Sequence, residues 1–166
     1  MSDWLIVRRA APADADALVR LGRSVASESE LWLTYDRSSS DERRNVKSVR
    51  RDPNAAVFIA ETPSGVVGRM SVTRDSNPVS HHVAELGLMV DAGERRQGVG
   101  TALMEEAVKW ARGSGVTKLE LHVFPHNEPA IALYRKLGFQ DEGVRQRHYR
   151  IAGHYVDAIL MALYLD

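Results

Sequence analysis

The chain has 166 residues, of which 44% are hydrophobic and 27% are charged, a composition typical of a globular protein rather than a disordered one. Lys plus Arg and Asp plus Glu both number 22, so no summed charge would attract nucleic acid or an anionic membrane. The lack of cysteine excludes a disulfide framework, a Cys-ligated zinc site and a thiol nucleophile. We expect a single domain over residues 1–166.

The sequence also lacks the patterns of export, membrane insertion and metal binding. Its start has no basic segment followed by an apolar stretch of about 7 to 15 residues. No run approaches the roughly 18 apolar residues of a membrane-spanning helix, and no His-Glu-x-x-His spacing occurs. We therefore expect a cytoplasmic protein with no metal, no nucleic acid partner and no membrane partner.

The first third of the sequence predicts one strand and two helices. Residues 5–7 are apolar and predict a short strand. Pro12, with acids two and four residues later, is typical of a helix start, and apolar residues then recur at helical spacing from Leu18 to Val25. The polar stretch 38–52 carries one thin apolar stripe, which indicates a surface helix.

Strands are more frequent in the middle of the sequence. The runs 56–60 and 66–73 flank turn-forming residues and predict a hairpin. Residues 83–90 predict a further strand, which leads into a glycine-bearing loop. The helix after that loop has one apolar face and ends at Gly113 and Gly115.

The last third predicts a strand, a helix and a hairpin. Apolar and polar residues alternate from 119 to 123, as they do in a strand. Residues 128–137 predict a helix that Gly138 caps, and 139–149 with 155–164 predict the final hairpin. This order of elements implies an α/β fold with a mixed sheet rather than a regular βαβ repeat.

The glycine-bearing loop is the most informative motif, because it lies between a strand and a strongly periodic helix. Glycines let backbone amides approach an anion, and a helix N-terminus adds free N–H groups and a favourable dipole. A pyrophosphate fits such a site, although an ordinary strand-to-helix turn also uses glycine. A P-loop and a dinucleotide fingerprint are both excluded by their missing residues. The candidate phosphate ligands are Arg95, Arg96, Gln97, Gly98, Val99, Gly100 and Thr101.

The spacing Arg95-x-x-Gly98-x-Gly100 resembles the Arg/Gln-x-x-Gly-x-Gly/Ala loop of the GNAT superfamily of N-acetyltransferases. The run 130–139 and the closing Gly-His-Tyr-Val-Asp at 153–157 extend the resemblance over the C-terminal half. The first half matches in element order and near residues 28–31. Substrate choice, which the family places largely in that half, is therefore the least supported part of the resemblance.

The resemblance implies a central, mostly antiparallel sheet of about seven strands, flanked by about four helices and splayed at the cofactor strand. Acetyl-CoA would be the cosubstrate, with its pyrophosphate held by the loop amides. Main-chain groups of Leu88, Met89 and Val90 would pair with the pantetheine arm, and the Met89 amide would stabilise the oxyanion. Asn127 would also contact the pantetheine, although Asn is equally a preferred N-cap.

Two residues are candidates for the acid and the base of acetyl transfer. By resemblance, Tyr134 would donate a proton to the departing CoA sulfur, and a phenol of pKa ~10 suits a thiol of ~8.5. The alternative is a core tyrosine. Glu85 is a candidate base, but it lies five residues before Val90 where protein-acetylating relatives place a glutamate six before. A one-residue offset moves a strand side chain to the other face unless a bulge compensates.

Acids and aromatics near residue 30 would bind a cationic amine acceptor, although solvated acids beside core aromatics explain the same pattern. These candidates are Glu28, Glu30, Trp32 and Tyr35.

The sequence thus predicts an acyltransferase that acetylates the amino group of a small molecule, such as an amino acid, by direct attack in a ternary complex. A protein N-terminal acetyltransferase of the ribosomal-protein type and a non-catalytic acyl-CoA sensor are the alternatives. The resemblance also admits a homodimer.

Overall fold

Seven strands and four α-helices make up the described part of the computed structural model, which comprises residues 4–28 and 35–166. The strands are β1 (Ile6–Arg9), β2 (Ala55–Thr62), β3 (Gly65–Arg74), β4 (Val83–Val90), β5 (Lys118–Val123), β6 (Gln140–Ile151) and β7 (His154–Tyr164). The helices are α1 (Ala15–Ala26), α2 (Ser39–Arg51), α3 (Val99–Gly113) and α4 (Glu128–Lys136). The predicted mixed fold, with seven strands and four helices, is confirmed.

The strands form one sheet in the order β1-β2-β3-β4-β5-β7-β6. Neighbouring strands are antiparallel except β4 and β5, which run parallel. A parallel connection needs a crossover, and α3 supplies it. The sheet is therefore antiparallel at every pairing except the one that the resemblance assigned to the cofactor.

Helices cover both faces of the sheet, and β2 shows this most clearly because all but one of its residues are buried. Val57 and Ile59 pack with Leu18 of α1 and Val46 of α2 on one face. The alternate residues of β2, including Phe58, pack with α3 on the other. Successive side chains of a strand point to opposite faces of the sheet, so the faces of the remaining strands follow from the same alternation.

A buried ion-pair network fixes α2 to the sheet. The carboxylate of Glu42 is fully buried and lies 2.9 Å from the guanidinium of Arg69 on β3. It also accepts a 2.5 Å hydrogen bond from the Tyr35 hydroxyl and pairs with Arg37 at 3.3 Å. Burial opposes ionisation of Glu42, but the hydrogen bond from Tyr35 and the two arginine charges outweigh it and lower the pKa.

The final hairpin is longer than its predicted strands. The strands β6 and β7 extend to Ile151 and His154, leaving Ala152 and Gly153 as a two-residue turn. Both turn residues have positive φ angles, 50° and 82°, which is the conformation that tight hairpins prefer. The sequence predicted shorter strands because most residues of β6 are exposed, so apolar and polar residues do not alternate clearly along it.

Candidate active site

The cleft lies where β4 and β5 separate. They pair only from Val83 opposite Lys118 to Glu85 opposite Glu120. Beyond that point β4 stays paired with β3, and β5 stays paired with β7. Since β4 and β5 each keep one hydrogen-bonded neighbour, a gap opens between them while the rest of the sheet stays paired. The predicted splay at the cofactor strand is confirmed.

A cavity of about 490 Å³ occupies this gap. Its walls come from β4, β5, α3, α4 and the end of β6, and most of them are apolar. They are formed by Leu86, Gly87, Leu88, Met104, Leu121, His122, Val123, Phe124, Asn127, Tyr134, Tyr149, Arg150 and Ile151. Such a cavity suits a ligand with an apolar arm and a few polar contacts.

The glycine loop ends at the first turn of α3. Gly98 is the N-cap residue and has a φ of 85°, a left-handed conformation that costs other residues energy. Gly100 packs closely, since a Cβ there would lie 3.0 Å from a methyl group of Leu133, which would have to shift. The first N–H groups of any helix have no intrahelical partner. They are available to an anion at this end of α3, together with the favourable dipole.

The loop side chains differ in their surroundings. Arg96 and Gln97 are exposed, and the Gln97 amide donates to the Gly93 carbonyl at 3.4 Å. Val99 is buried in the core, and Thr101 is half-buried. The side chains of Arg96 and Gln97 thus lie at the surface of the loop, whereas Val99 packs into the core.

Arg95 is fixed by neighbours on two elements. Its guanidinium donates two hydrogen bonds of 2.7 Å to the carboxylate of Glu28 and one of 3.0 Å to the Val90 carbonyl. The side chain therefore joins the glycine loop to Glu28, two residues beyond the end of α1, and to the end of β4. Glu28, predicted to face the acceptor, makes this ion pair.

Tyr134 lies on α4 and lines the cavity. Its side chain is buried, its ring lies 5.6 Å from that of Phe139, and burial raises the pKa of its hydroxyl to about 12. Burial disfavours the tyrosinate. The phenol is thus protonated at any physiological pH and can donate a hydrogen bond into the cleft.

Asn127 takes both of the places between which the sequence did not decide, the N-cap of α4 and the wall of the cavity. It is the N-cap of α4, where its side-chain oxygen accepts from the Ala130 amide at 3.4 Å. It also lines the cavity, as Leu88 does. Met89 and Val90 continue β4 beyond Leu88 and are partly buried.

The α1/α2 face of the sheet brings several polar groups to the mouth of the cleft. Since Leu86 and Leu121 pack with α3, the alternation of strand residues puts Glu85 and His122 on this other face. The register of β4 with β3 is continuous, so no bulge moves Glu85 back. Burial raises the pKa of Tyr149, and the charge of Glu85 adds to the rise.

Tyr149, His122, His148 and Arg150 were missed by the sequence analysis. Tyr149 packs edge-on against Phe124 at 5.1 Å, and the rings of His122 and His148 are 5.8 Å apart. A signal existed only for His122, which occupies a polar position of an alternating strand that ends at the cleft.

A bulge in β6 lies directly before Tyr149. Arg145 pairs with Ala158, but Tyr149 pairs with Val156, so β6 has two extra residues there. Arg147 takes a φ of 52°, and its N–H donates to the Asp157 carboxylate at 2.7 Å. Such bulges redirect side chains and occur often beside active sites.

The remaining acceptor candidates are only partly within the described residues. Tyr35 packs against Gly22, where a Cβ would lie 2.5 Å from the ring, and bonds to Glu42. Glu30 and Trp32 lie outside the described residues.

The described residues contain no group of three His, Cys, Asp or Glu side chains that could hold a metal ion. Within the same ranges, no helix is both long and apolar enough to cross a bilayer.

A parallel strand pair that parts over an apolar cavity, beside a helix start suited to phosphates, defines an enzyme of the CoA-dependent acyltransferase class. The model of the acetyltransferase (GNAT) family matches residues 23–139. The L-amino acid N-acetyltransferase AaaT of Escherichia coli K12 is 30% identical over 163 residues, which covers 95% of this chain and 96% of that protein.

Two further comparisons agree with this, one in sequence and one in fold. The [ribosomal protein bS18]-alanine N-acetyltransferase of Escherichia coli K12 is 35% identical over 96 residues, covering 58% of this chain and 65% of that protein. The structure of yncA from Salmonella typhimurium, solved with its cofactor acetyl-CoA, has a TM-score of 0.87 and 20% identity. It covers 99% of this chain and 95% of that chain. The chain belongs to the GNAT family and is an N-acetyltransferase with acetyl-CoA as its cosubstrate.

Proposed function

We propose that the chain acetylates the amino group of a free amino acid or a closely related small amine, by direct attack in a ternary complex. The observation that carries this choice is the likeness to an L-amino acid N-acetyltransferase over 163 residues. The likeness to the ribosomal-protein enzyme covers only 96 residues. We also infer that residues 1–166 form one domain, because one sheet joins the described strands.

The residues of the cleft fit acetyl-CoA, which supplies an activated acetyl thioester. The start of α3 would hold the pyrophosphate through the amides that follow Gly98. The apolar walls from Leu88 to Val123 would hold the pantetheine arm, with Asn127 as a polar contact. In this arrangement the acetyl group lies where the strands part, near Tyr134.

Tyr134 would act on the leaving sulfur. Negative charge grows on that atom as the carbon–sulfur bond breaks, and a buried hydroxyl that stays protonated can donate to it. Its raised pKa disfavours early loss of the proton. The hydroxyl therefore stabilises the departing thiolate and delivers its proton as the bond breaks.

The acceptor amine would approach from the α1/α2 face. A primary ammonium has a pKa near ~10, so it must lose a proton before it attacks. Glu85 and His122 both lie on this face, and His122 lines the cavity. We assign them as the proton acceptors and the backbone amide of Met89 as the donor to the carbonyl oxygen.

Release of the CoA thiol from acetyl-CoA tests this function directly. The acceptors would be the twenty common amino acids, polyamines, aminoglycosides and short peptides that begin with alanine. Turnover confined to amino acids or other small amines supports the proposal. Turnover confined to peptides would favour the ribosomal-protein type of activity, and no turnover despite acetyl-CoA binding would contradict both.

A further inference from the structure

We infer that a second cavity, at the end of the sheet opposite the cleft, binds a free nucleotide. This second cavity has a volume of about 700 Å³, and its lining includes Arg9, Arg50, Arg51 and Trp110. The arginines bind the phosphates, and the indole packs against the base. The inference goes beyond the proposed function, because the second cavity lies apart from the cleft in which acetyl transfer is placed.

The strand directions place the second cavity far from the glycine loop. β2 runs parallel to β4, because both are antiparallel to β3. The second cavity lies where β1 ends and β2 begins, whereas the cleft lies towards the end of β4. The helix α3 starts at the glycine loop, and its last residue, Gly113, lines the second cavity. Its 15 residues span roughly 22 Å, so a ligand there leaves the glycine loop free.

The arginines of the second cavity come from both faces of the sheet. Arg9 pairs with Phe58 across β1 and β2, and its guanidinium lies 5.4 Å from the centre of the Phe58 ring, on the α3 face. Arg50 and Arg51 lie in the last turn of α2, on the other face. Arg50 is held in place by a 2.6 Å hydrogen bond to the Ala10 carbonyl. Guanidinium groups from two layers thus line one cavity, and their planar N–H donors match the oxygens of a phosphate.

No carboxylate of the described residues forms an ion pair with these arginines. Their ion pairs do not include Arg9, Arg50 or Arg51. The described lining holds one acid, Asp52. Its carboxylate accepts the Asn54 N–H at 2.8 Å. The guanidinium donors therefore remain available to an anionic ligand.

Asp14 is a further acid close to this site, and it is already paired. Hydrogen bonds from Arg8 lower its pKa, and the charge of Arg50 adds to this effect. Both carboxylate oxygens of Asp14 accept hydrogen bonds of 2.9 Å from Arg8. Asp14 thus leaves most of the charge of Arg50 uncompensated.

A fourth arginine adds positive charge behind the wall. Arg74 of β3 donates to the Ser114 carbonyl and lies 3.5 Å from the side-chain oxygen of Asn54. Its Nε is buried without a hydrogen-bond partner among the described residues. The ends of α2 and α3 each contribute about half a negative charge. Together with Asp52 they offset about two of the four arginine charges, and the remainder is about the charge of one terminal phosphate.

The size of the second cavity and its aromatic wall favour a nucleotide over inorganic phosphate. A volume of about 700 Å³ is typical of sites for whole small molecules. Trp110 is partly buried against the core and lines the second cavity together with the arginines. Bases of any identity stack on aromatic side chains. The ligand is therefore assigned as a nucleotide, with no particular base.

Calorimetric titration of the whole protein with GDP tests the site. CoA is kept saturating, because the glycine loop would otherwise accept the diphosphate. GDP should bind saturably and quench tryptophan fluorescence. The double variant Arg9→Gln, Arg51→Gln should bind GDP at least ~10-fold more weakly, and Trp110→Phe should remove the quenching. Arg43→Gln with Arg44→Gln, two exposed arginines of α2, is the matched control.

Two smaller probes and one other anion decide the class of ligand. Guanosine lacks phosphates and inorganic phosphate lacks a base, so each should bind at least ~10-fold more weakly than GDP. Binding of guanosine as tight as that of GDP would exclude the arginine contacts. Equally tight binding of phosphate or citrate would exclude recognition of a base.

The inference would be overturned by an absence of saturable GDP binding while CoA is bound, or by loss of GDP binding as CoA is added. Equal GDP affinity of the wild type and the arginine double variant would overturn it as well. Thiol release by the double variant should stay within ~2-fold of the wild type, since the two sites are far apart. Failure of this inference is thereby distinguished from failure of the proposed function. Melting temperatures of the variants show whether weaker binding comes from misfolding.

Discussion

The carboxylate of Glu28 holds the guanidinium of Arg95 through two hydrogen bonds of 2.7 Å each. The two residues are 67 positions apart, and Arg95 also donates to the Val90 carbonyl. The pair joins Glu28, two residues beyond the end of α1, to the glycine loop that starts α3. Glu28 is a residue that the sequence predicted to face the acceptor, whereas Arg95 was predicted to contact the cofactor.

Glu28→Gln should weaken acetyl-CoA binding by roughly fivefold, because the loop loses a charge-assisted anchor. Both partners are partly exposed, so the effect should stay near ~1 kcal/mol. Calorimetric titration with acetyl-CoA measures it, and Glu105→Gln on the exposed face of α3 is the control. Unchanged affinity in the Glu28 variant would show that the ion pair does not position the loop.

Gly98→Ala should also weaken acetyl-CoA binding. The alanine Cβ meets no atom within 4 Å, so any effect comes from the left-handed φ of 85°. That conformation costs a non-glycine residue about 1–2 kcal/mol, and the loop would relax away from it. Gly113→Ala, at the end of α3 and equally unobstructed, should bind normally. Equal acetyl-CoA affinity of the two variants would show that position 98 does not require glycine.

His122→Gln should lower kcat/KM for the acceptor by at least ~10-fold if this side chain accepts the amine proton. Glu85→Gln should have a smaller effect, because Glu85 is exposed and does not line the cavity. His154→Gln, at the exposed start of β7, is the matched control. A larger loss of kcat/KM in the Glu85 variant than in the His122 variant would show that Glu85 is the main acceptor of the amine proton.

Tyr134 should also make stability depend on alkaline pH. Its pKa is raised from 10.0 to about 12, so the folded state keeps a proton that the unfolded chain loses. This contribution is complete below pH 10 and is lost as the pH rises towards 12. By pH 11 the wild type should have lost about 1.4 kcal/mol more than Tyr134→Phe. Urea unfolding at pH 8 and 11 checks this, and parallel losses would contradict it.

Local patterns predicted most of the fold and the cofactor half of the site. The strand 83–90 and its glycine loop could be read directly, because period-two apolarity followed by a strongly periodic helix is a short-range signal. Asn127 and Tyr134 were found through the resemblance, and the structure brings both to the cavity wall. Their assigned roles remain predictions.

The acceptor half depends on long-range contacts that no local pattern encodes. Tyr149 lies at the cavity wall directly after a bulge in β6, where the Arg147 N–H donates to the Asp157 carboxylate. The Tyr35 hydroxyl donates to Glu42, whose carboxylate is fully buried although it belongs to the polar stretch 38–52 that predicted a surface helix. Tertiary contacts of this kind decide where these polar side chains lie, and no local pattern records them.

The most direct test of the account is the turnover of Tyr134→Phe, measured as thiol release from acetyl-CoA with a saturating acceptor. We predict that kcat falls at least ~10-fold while acetyl-CoA affinity stays within ~2-fold of the wild type. Tyr164→Phe, a half-exposed tyrosine of β7, should be unaffected. Equal turnover of the Tyr134 variant and the wild type would contradict the role of the Tyr134 hydroxyl as the acid of acetyl transfer.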